Sequence, residues 1–400
     1  MLQSTKLTVR LHPKFSEELK KRIESYLGYN PAQLALQKDL FKGIDIQFFI
    51  EQISLLNKAE TKLPTFFKNR CLLTKKAYEQ STSERVATFK AGLFGGEKML
   101  SLTGGLGVDD WAFSKVLDSV MSLDTDEETN QLFWHNQNMM GCGNVERLTQ
   151  SAEEYLPKAK GFDVVYLDPD RRPTGERVTA LEGMQPDVGK MLPFLLENNN
   201  TVAVKLSPLF DNTEALNVFP CLQKLITIAE NNEVKELLAV MGKTHEGEVE
   251  HIAVNLTKNG NEIFYGVIGG DANHGEVELG TGRYFYEPNH ALIKSGLWKA
   301  YAKTIGFKAA ASNGPYLFSN ELKPDFQGRR FEVKEILPYK IAELKKYFAK
   351  NSITQANISR RNFPDEVAAI RKKTGLKDGG ESYLFFTKME GHVCIVCKRG

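Results

Sequence analysis

Between Lys98 and Leu206, short apolar runs alternate with stretches of helical period. The runs are KMLSL (98–102), VMSLD (120–124), NVERLTQ (144–150), FDVVYLD (162–168) and TVAVKL (201–206). Strands apolar on both faces and separated by helices belong to a parallel sheet covered on its two sides. The spacing therefore predicts an α/β fold with a doubly wound, Rossmann-like sheet. KELLAVMG (235–242) and EHIAVNLTK (250–258) are expected to close it as a hairpin-like pair.

The pattern differs on either side of this stretch. Residues 14–95 carry apolar side chains at three- and four-residue spacing, in FSEELKKRIESYL, PAQLALQKDLF, IDIQFFIEQISLLNKAE and SERVATFKAGLF, the last with Ser83 placed to cap it. Beyond residue 325 a β-α-β-α-β-β succession is expected: FEVKEILPY, PYKIAELKKYFAKN, ITQANISR, DEVAAIRKKTG, SYLFFTKM and HVCIVCKR. The expected organisation is a helical lobe over 1–95 and a doubly wound domain over 96–282. A small ferredoxin-like connecting unit with one amphipathic helix follows over 283–325, and an α+β module over 326–400.

The 42% apolar and 26% charged composition is that of a globular chain. The N-terminal MLQSTKLTVRLHPKF offers no signal-peptide core, and no run approaches the roughly 18 apolar residues of a membrane span. A cytoplasmic protein without membrane contact is expected. The five cysteines are odd in number and scattered. Cys394 and Cys397 stand three apart in a strand and so point to opposite faces, which favours interior thiols over a zinc or redox pair. No metal site is expected, and the seven histidines show no ligand spacing.

Charge is unevenly distributed. Residues 287–400 contain 21 Lys and Arg against 11 Asp and Glu, or +10, and the residues before them sum to −8. A basic tail on an acidic body raises the expectation of a polyanionic partner, against the alternative of a solvated face. Lys345, Lys346, Lys350, Arg360, Arg361, Arg371, Lys372 and Lys373 recur there, with Tyr347 and Phe363 among them. Such a mixture can follow a phosphate backbone and stack on bases.

SLTGGLGVDD (101–110) sets Gly104, Gly105 and Gly107 between an expected strand and an expected helix. Glycines there allow close backbone approach by a nucleotide-like ligand beside helix N–H groups. Asp110 stands where a dinucleotide site would carry its third glycine, which weakens that reading. Asp124 follows Gly104 by 20 residues, the distance at which a carboxylate ending the second strand accepts from ribose hydroxyls. FDVVYLD then runs into Pro169-Asp170-Arg171-Arg172-Pro173, placing Asp168 at the carboxyl edge of the sheet. Proline has no N–H, so acceptors dominate this corner, as suits an amine held with its lone pair toward an electrophile. The alternative is a turn with its own ion pair.

EQSTSERVATFKAGLF, SLTGGLGVD, SLDTDEETNQLFWHNQNMMG, FDVVYLDPDRRP and YEPNHALIKSGL together resemble the bacterial class I S-adenosylmethionine-dependent methyltransferases that carry a THUMP-like C-terminal domain. The resemblance runs from about Gln80 to the end, and covers the helical lobe more loosely. It implies S-adenosylmethionine as cofactor, RNA as partner, and transfer of a methyl group to a nitrogen of a base. Thr103, Gly104, Gly105, Gly107 and Asp109 would hold the cofactor's amino-acid side, Asp124 its ribose, and Ser151 and Ala152 its adenine. Asp168, Pro169 and Asp170 would form the catalytic corner. Arg171 and Arg172, with Lys345, Lys346, Arg360 and Arg361, would bind the substrate. Lys205 and Asp211 are weaker candidates. The family usually carries Asp where this chain has Ser101. Carbon-5 methylation would need a cysteine near 168–173, and none is there. A methyltransferase acting on a protein or small molecule, and a non-catalytic RNA-binding protein with a decayed pocket, remain the alternatives.

Overall fold

The computed structural model describes residues 17–36, 45–171, 181–244, 247–267, 277–312 and 314–399. The chain forms two compact units, one of residues 1–223 with 238–246, the other of 224–237 with 247–400.

The first unit begins with helices α1 (Glu17–Tyr26), α2 (Pro31–Ala35), α3 (Ile46–Lys62), α4 (Pro64–Lys68), α5 (Lys75–Gln80) and α6 (Glu84–Ala91). Side-chain caps fix the starts of α3, α5 and α6: Asp45 accepts from Phe48 N, Thr74 from Ala77 N and Ser83 from Val86 N. The apolar face of α3 buries Phe49, Ile53, Leu55 and Leu56. The sequence pattern did not separate out α4 and α5, each of six residues or fewer.

The sheet of this unit contains β1 (Lys98–Ser101), β2 (Ser119–Asp124), β3 (Val145–Thr149), β4 (Val164–Leu167) and, after the two-stranded β5 (Asp170–Arg171) and β6 (Met184–Gln185), β7 (Thr201–Leu206). Its spatial order is β3-β2-β1-β4-β7, with every pair parallel. All four residues of β4 are buried, as are Met99, Leu100 and Ser101 of β1, so both sheet faces are covered. Helices α7 (Val108–Phe113), α8 (Glu127–Met140), α9 (Ala152–Tyr155), α10 (Val188–Asn198) and α11 (Asn212–Val218) follow the strands. Strand order reverses between β1 and β4. A crevice therefore opens beyond their carboxyl ends, where doubly wound sheets take their ligands.

Further on, β8 (Leu222–Glu230), β9 (Glu233–Gly242), β10 (Glu250–Thr257) and β11 (Gly260–Val267) correct one expectation. β10 does not form a hairpin with β9. It pairs parallel with β8, Ile252 opposite Ile226, and antiparallel with β11, Val254 opposite Ile263. LQKLITIAE and GNEIFYGV, which the periodicity did not single out, are the strands that take up its two edges.

The second unit contains a seven-stranded sheet in the order β13-β14-β12-β15-β18-β17-β16. Its strands are β12 (Tyr284–Pro288), β13 (Lys308–Ala311), β14 (Gly314–Ser319), β15 (Gly328–Pro338), β16 (Asn357–Arg360), β17 (Ser382–Lys388) and β18 (His392–Arg399). Helices α12 (His290–Ser295) and α13 (Trp298–Thr304) pack Leu292, Leu297 and Tyr301 with Tyr286, Phe307 and Phe326. Helices α14 (Ile341–Lys350) and α15 (Val367–Thr374) bury Leu344, Phe348 and Ile370 with Leu384 and Phe386. Because β12 pairs with both β14 and β15, the strands of 283–325 belong to the same sheet as those of 326–400, and the region has two short helices instead of one.

Cys394 lies in the cluster under α14 and α15, and Cys397 in a second cluster with Phe285 and Phe385. Burial pushes both thiols well above the usual range. Among the described residues no helix is long and apolar enough to cross a membrane, and no group of His, Cys, Asp and Glu is placed to hold a metal.

Candidate functional site

The crevice at the carboxyl ends of β1 and β4 is a cavity of about 530 Å³. That is within the roughly 300–1,000 Å³ of small-molecule sites. One wall is the turn between β1 and α7. Leu102 N donates to Tyr166 O (2.9 Å) and Gly104 N to Leu123 O (2.7 Å), so the turn is stitched to both neighbouring strands. Gly105 and Gly107 take φ of +51° and +85°, the left-handed region where a side chain is strained. A Cβ on Gly105 would meet only open space, so that residue leaves room in the cleft.

The sequence-predicted residues converge on this crevice. Gly105 N donates to Asp124 Oδ2 (2.7 Å), and Asp126 N to Asp124 Oδ1 (2.9 Å). Each carboxylate oxygen keeps a lone pair for a ligand hydroxyl. Thr103 Oγ1 accepts from Asp168 N (2.6 Å), joining the glycine turn to the end of β4. Ser151 caps α9 by accepting from Glu154 N, with Ala152 buried behind it, and both line the cavity. Asp126 caps α8 by accepting from Thr129 N, and this bond chiefly holds its carboxyl below the usual range.

Asp168 is ion-paired with Lys205 Nζ at 2.5 Å. Asp170 lines the same cavity. Shielding from water, then the charge of Asp168, pushes the Asp170 carboxyl above the ordinary range. Asp109 also lines the cavity, but its carboxylate is engaged, 2.9 Å from the buried Lys90 Nζ and 3.1 Å from Tyr166 OH. Asp211 caps α11 through Thr213 N and Glu214 N. The backbone of Arg171 lies in β5, and Arg172 falls outside the described residues.

THUMP domain-like is the family description matched by residues 328–399. Uncharacterized S-adenosylmethionine-dependent methyltransferases from two strains of Mycobacterium tuberculosis are 23% identical over 347 residues, which is 86% of this chain and 92% of theirs. The crystal structure of a protein assigned as a methyltransferase from Porphyromonas gingivalis W83 superposes with a TM-score of 0.83. The two are 27% identical, over 96% of this chain and 99% of that one. This chain is a class I S-adenosylmethionine-dependent methyltransferase with a THUMP-like domain.

The cavity of the methyltransferase fits that cofactor. A glycine cradle stands open on one side, a carboxylate with spare acceptor capacity faces it, and the volume suits an adenosine-sized ligand. Several lining groups escaped sequence reasoning. Lys76, Gln80, Ser81 and Thr82 reach the cavity from α5 and the turn after it. Beneath the glycine turn, the fully buried Arg147 pairs with the equally buried Asp110 at 2.8 Å. The available signal was a charged residue at an inward position of NVERLTQ, on the side of Val145.

In the second unit of the methyltransferase, Lys345 and Lys346 are exposed on α14. Arg360 is tied to Glu366 and to Phe363 O, and Arg361 Nε lies 3.5 Å from the buried Glu287. Arg371 is bound to Asp378, and Lys373 to Asp365 at 2.6 Å. Phe363 is a correction to the stacking expectation. It is buried edge-on against Tyr339, ring centroids 4.8 Å apart, and belongs to the core. Tyr347 is half-buried against the same cluster.

Proposed function

We propose that the methyltransferase transfers a methyl group to a nitrogen of an RNA base. The observation that carries this reading is the junction of the glycine turn with the Asp168-Pro169 corner through Thr103 Oγ1 and Asp168 N. It sets the glycine turn beside a cluster of hydrogen-bond acceptors.

The residues from Thr103 to Gly107 would hold the amino-acid side of S-adenosylmethionine, Asp124 its ribose and Ser151 with Ala152 its adenine. Asp109 would act by anchoring α7 to Lys90. The cofactor supplies a methyl group already activated on sulfonium, so the protein's task is mainly positioning. Asp168 is held in place by its ion pair with Lys205 Nζ. With the Pro169 carbonyl it would accept the N–H bonds of an amine and aim its lone pair across the cleft. The proton released on attack would pass to the carboxylates of this corner. The excess of positive charge over 287–400, with Lys345 and Lys346 exposed, supports a polyanionic substrate held by the THUMP-like unit. Arg171 and Arg172 would assist by gripping a phosphate.

Nucleoside mass spectrometry of RNA from a deletion strain tests the reading. One methylated base should vanish, return with the wild-type gene, and stay absent with Asp168→Ala. An unchanged nucleoside profile contradicts it.

A further inference from the structure

Two acids in the first turn of α7 are each bound to a buried cation, Asp109 to Lys90 and Asp110 to Arg147. Arg147 is the more unusual because its hydrogen bonds gather on the turn itself. Nη2 pairs with Asp110 at 2.8 Å, Nε donates to Ser122 Oγ at 2.8 Å, and Nη1 donates to Asn130 Oδ1 at 2.9 Å and to Gly105 O at 3.1 Å. The guanidinium stacks 3.9 Å from the Phe133 ring centroid. A Cβ on Gly104 would overlap Arg147 and Ser122, and one on Gly107 would come within 2.5 Å of Phe133. The glycines at 104 and 107 are thus required by what lies beneath the turn, while Gly105 alone opens onto the cleft.

The bond to Gly105 O has a directional consequence. In a trans peptide the carbonyl and the next N–H point opposite ways. Drawing Gly105 O down to Arg147 turns the Leu106 N–H up toward the cavity that Leu106 lines. Among the described residues that N–H makes no intramolecular hydrogen bond. We infer that Arg147 is a positioning residue, which holds the Gly105–Leu106 peptide so that its N–H is offered to the carboxylate of the cofactor's amino-acid moiety. The inference rests on the reading of this cleft as the S-adenosylmethionine site. A purely structural buried arginine would affect all ligands of the cleft alike. An arginine acting through this peptide discriminates between ligands with and without a carboxylate.

Calorimetry on the full chain with S-adenosylmethionine and with 5′-methylthioadenosine, which lacks the amino-acid group, separates the two. Arg147→Lys keeps a cation for Asp110 but loses the fork that reaches Gly105 O. It should weaken S-adenosylmethionine by about 10- to 100-fold, the size of a lost charge-assisted hydrogen bond, and 5′-methylthioadenosine by under about threefold. Asn130→Ala releases Nη1 without touching the buried ion pair; because the Asn130 amide also donates to Asp124 O and Thr149 Oγ1, it should weaken both ligands slightly and S-adenosylmethionine more, so the test survives if Arg147→Lys does not fold. Equal loss of both ligands, or unchanged S-adenosylmethionine affinity in both variants, overturns the inference. Absence of S-adenosylmethionine binding by the wild type overturns the methyl-donor reading and the inference with it.

Discussion

Gly105 donates its amide to the Asp124 carboxylate across 2.7 Å, so the turn after β1 and the acid ending β2 form one hydrogen-bonded unit before any ligand arrives. Thr103, two residues earlier in the same turn, accepts from Asp168 N and extends that unit to β4. A site assembled in advance loses little ordering entropy on binding.

The three glycines of the turn should respond differently to alanine. Gly104→Ala drives a methyl into Arg147 and Ser122, and Gly107→Ala combines a clash with Phe133 and a left-handed φ. Overpacking costs about 1–3 kcal/mol and the left-handed region about 1–2 more. Both variants should lower the thermal midpoint by several degrees. Gly105→Ala meets no atoms, so it should cost only about 1–2 kcal/mol from its φ of +51° and show its larger effect on cofactor affinity. Scanning calorimetry with and without S-adenosylmethionine distinguishes the two behaviours.

Asp170 should make stability depend on pH. Its folded carboxyl titrates above its unfolded value of 3.8, so between the two values the folded chain binds more protons than the unfolded one. Stability attached to this group is complete below the unfolded value and is lost as pH rises through the folded one. Asp170→Asn should therefore raise the thermal midpoint relative to wild type at pH 7, with the difference shrinking as pH falls toward 3.8. Midpoints of the two proteins measured across that range check the sign. A gain that grows toward acid contradicts it.

RNA binding should depend steeply on salt and draw on α14. On single-stranded RNA, every phosphate that the protein ceases to neutralise makes the slope of log affinity against log salt shallower by about 0.7. Lys345→Gln with Lys346→Gln should lower the slope by roughly 1–1.4, read by fluorescence anisotropy of a labelled oligonucleotide. Phe363→Ala should instead act on stability, because its ring packs in the core under α14 and α15. An affinity flat with salt contradicts the polyanion reading.

The site's backbone was legible in the sequence because its signals are local. Period-two and period-3.6 runs locate β1 to β4 and β7, TGGLG marks the turn, and the spacing from Gly104 to Asp124 places a carboxylate beside it. What stayed hidden depends on distant partners. Arg147 and Asp110 lie 37 residues apart, and neither residue announces the other. β10 chose β8 and β11 over β9 by sheet pairing that no single window records. LQKLITIAE carries Gln223, Lys224 and Thr227 inside it, which masks its strand character. The contribution of α5 to the cleft rests on helix packing, and Phe363 sits among charges in RRNFPDE although its ring is core.

The joint grip of Gly105 and Asp124 on a methyl donor is tested most directly by titrating S-adenosylmethionine into the full chain and into Asp124→Ala. The wild type should bind one equivalent, and the variant should lose about 10- to 100-fold in affinity, as expected when hydrogen bonds to a carboxylate are removed. Equal affinity in the two proteins, or no binding by the wild type, would contradict the account.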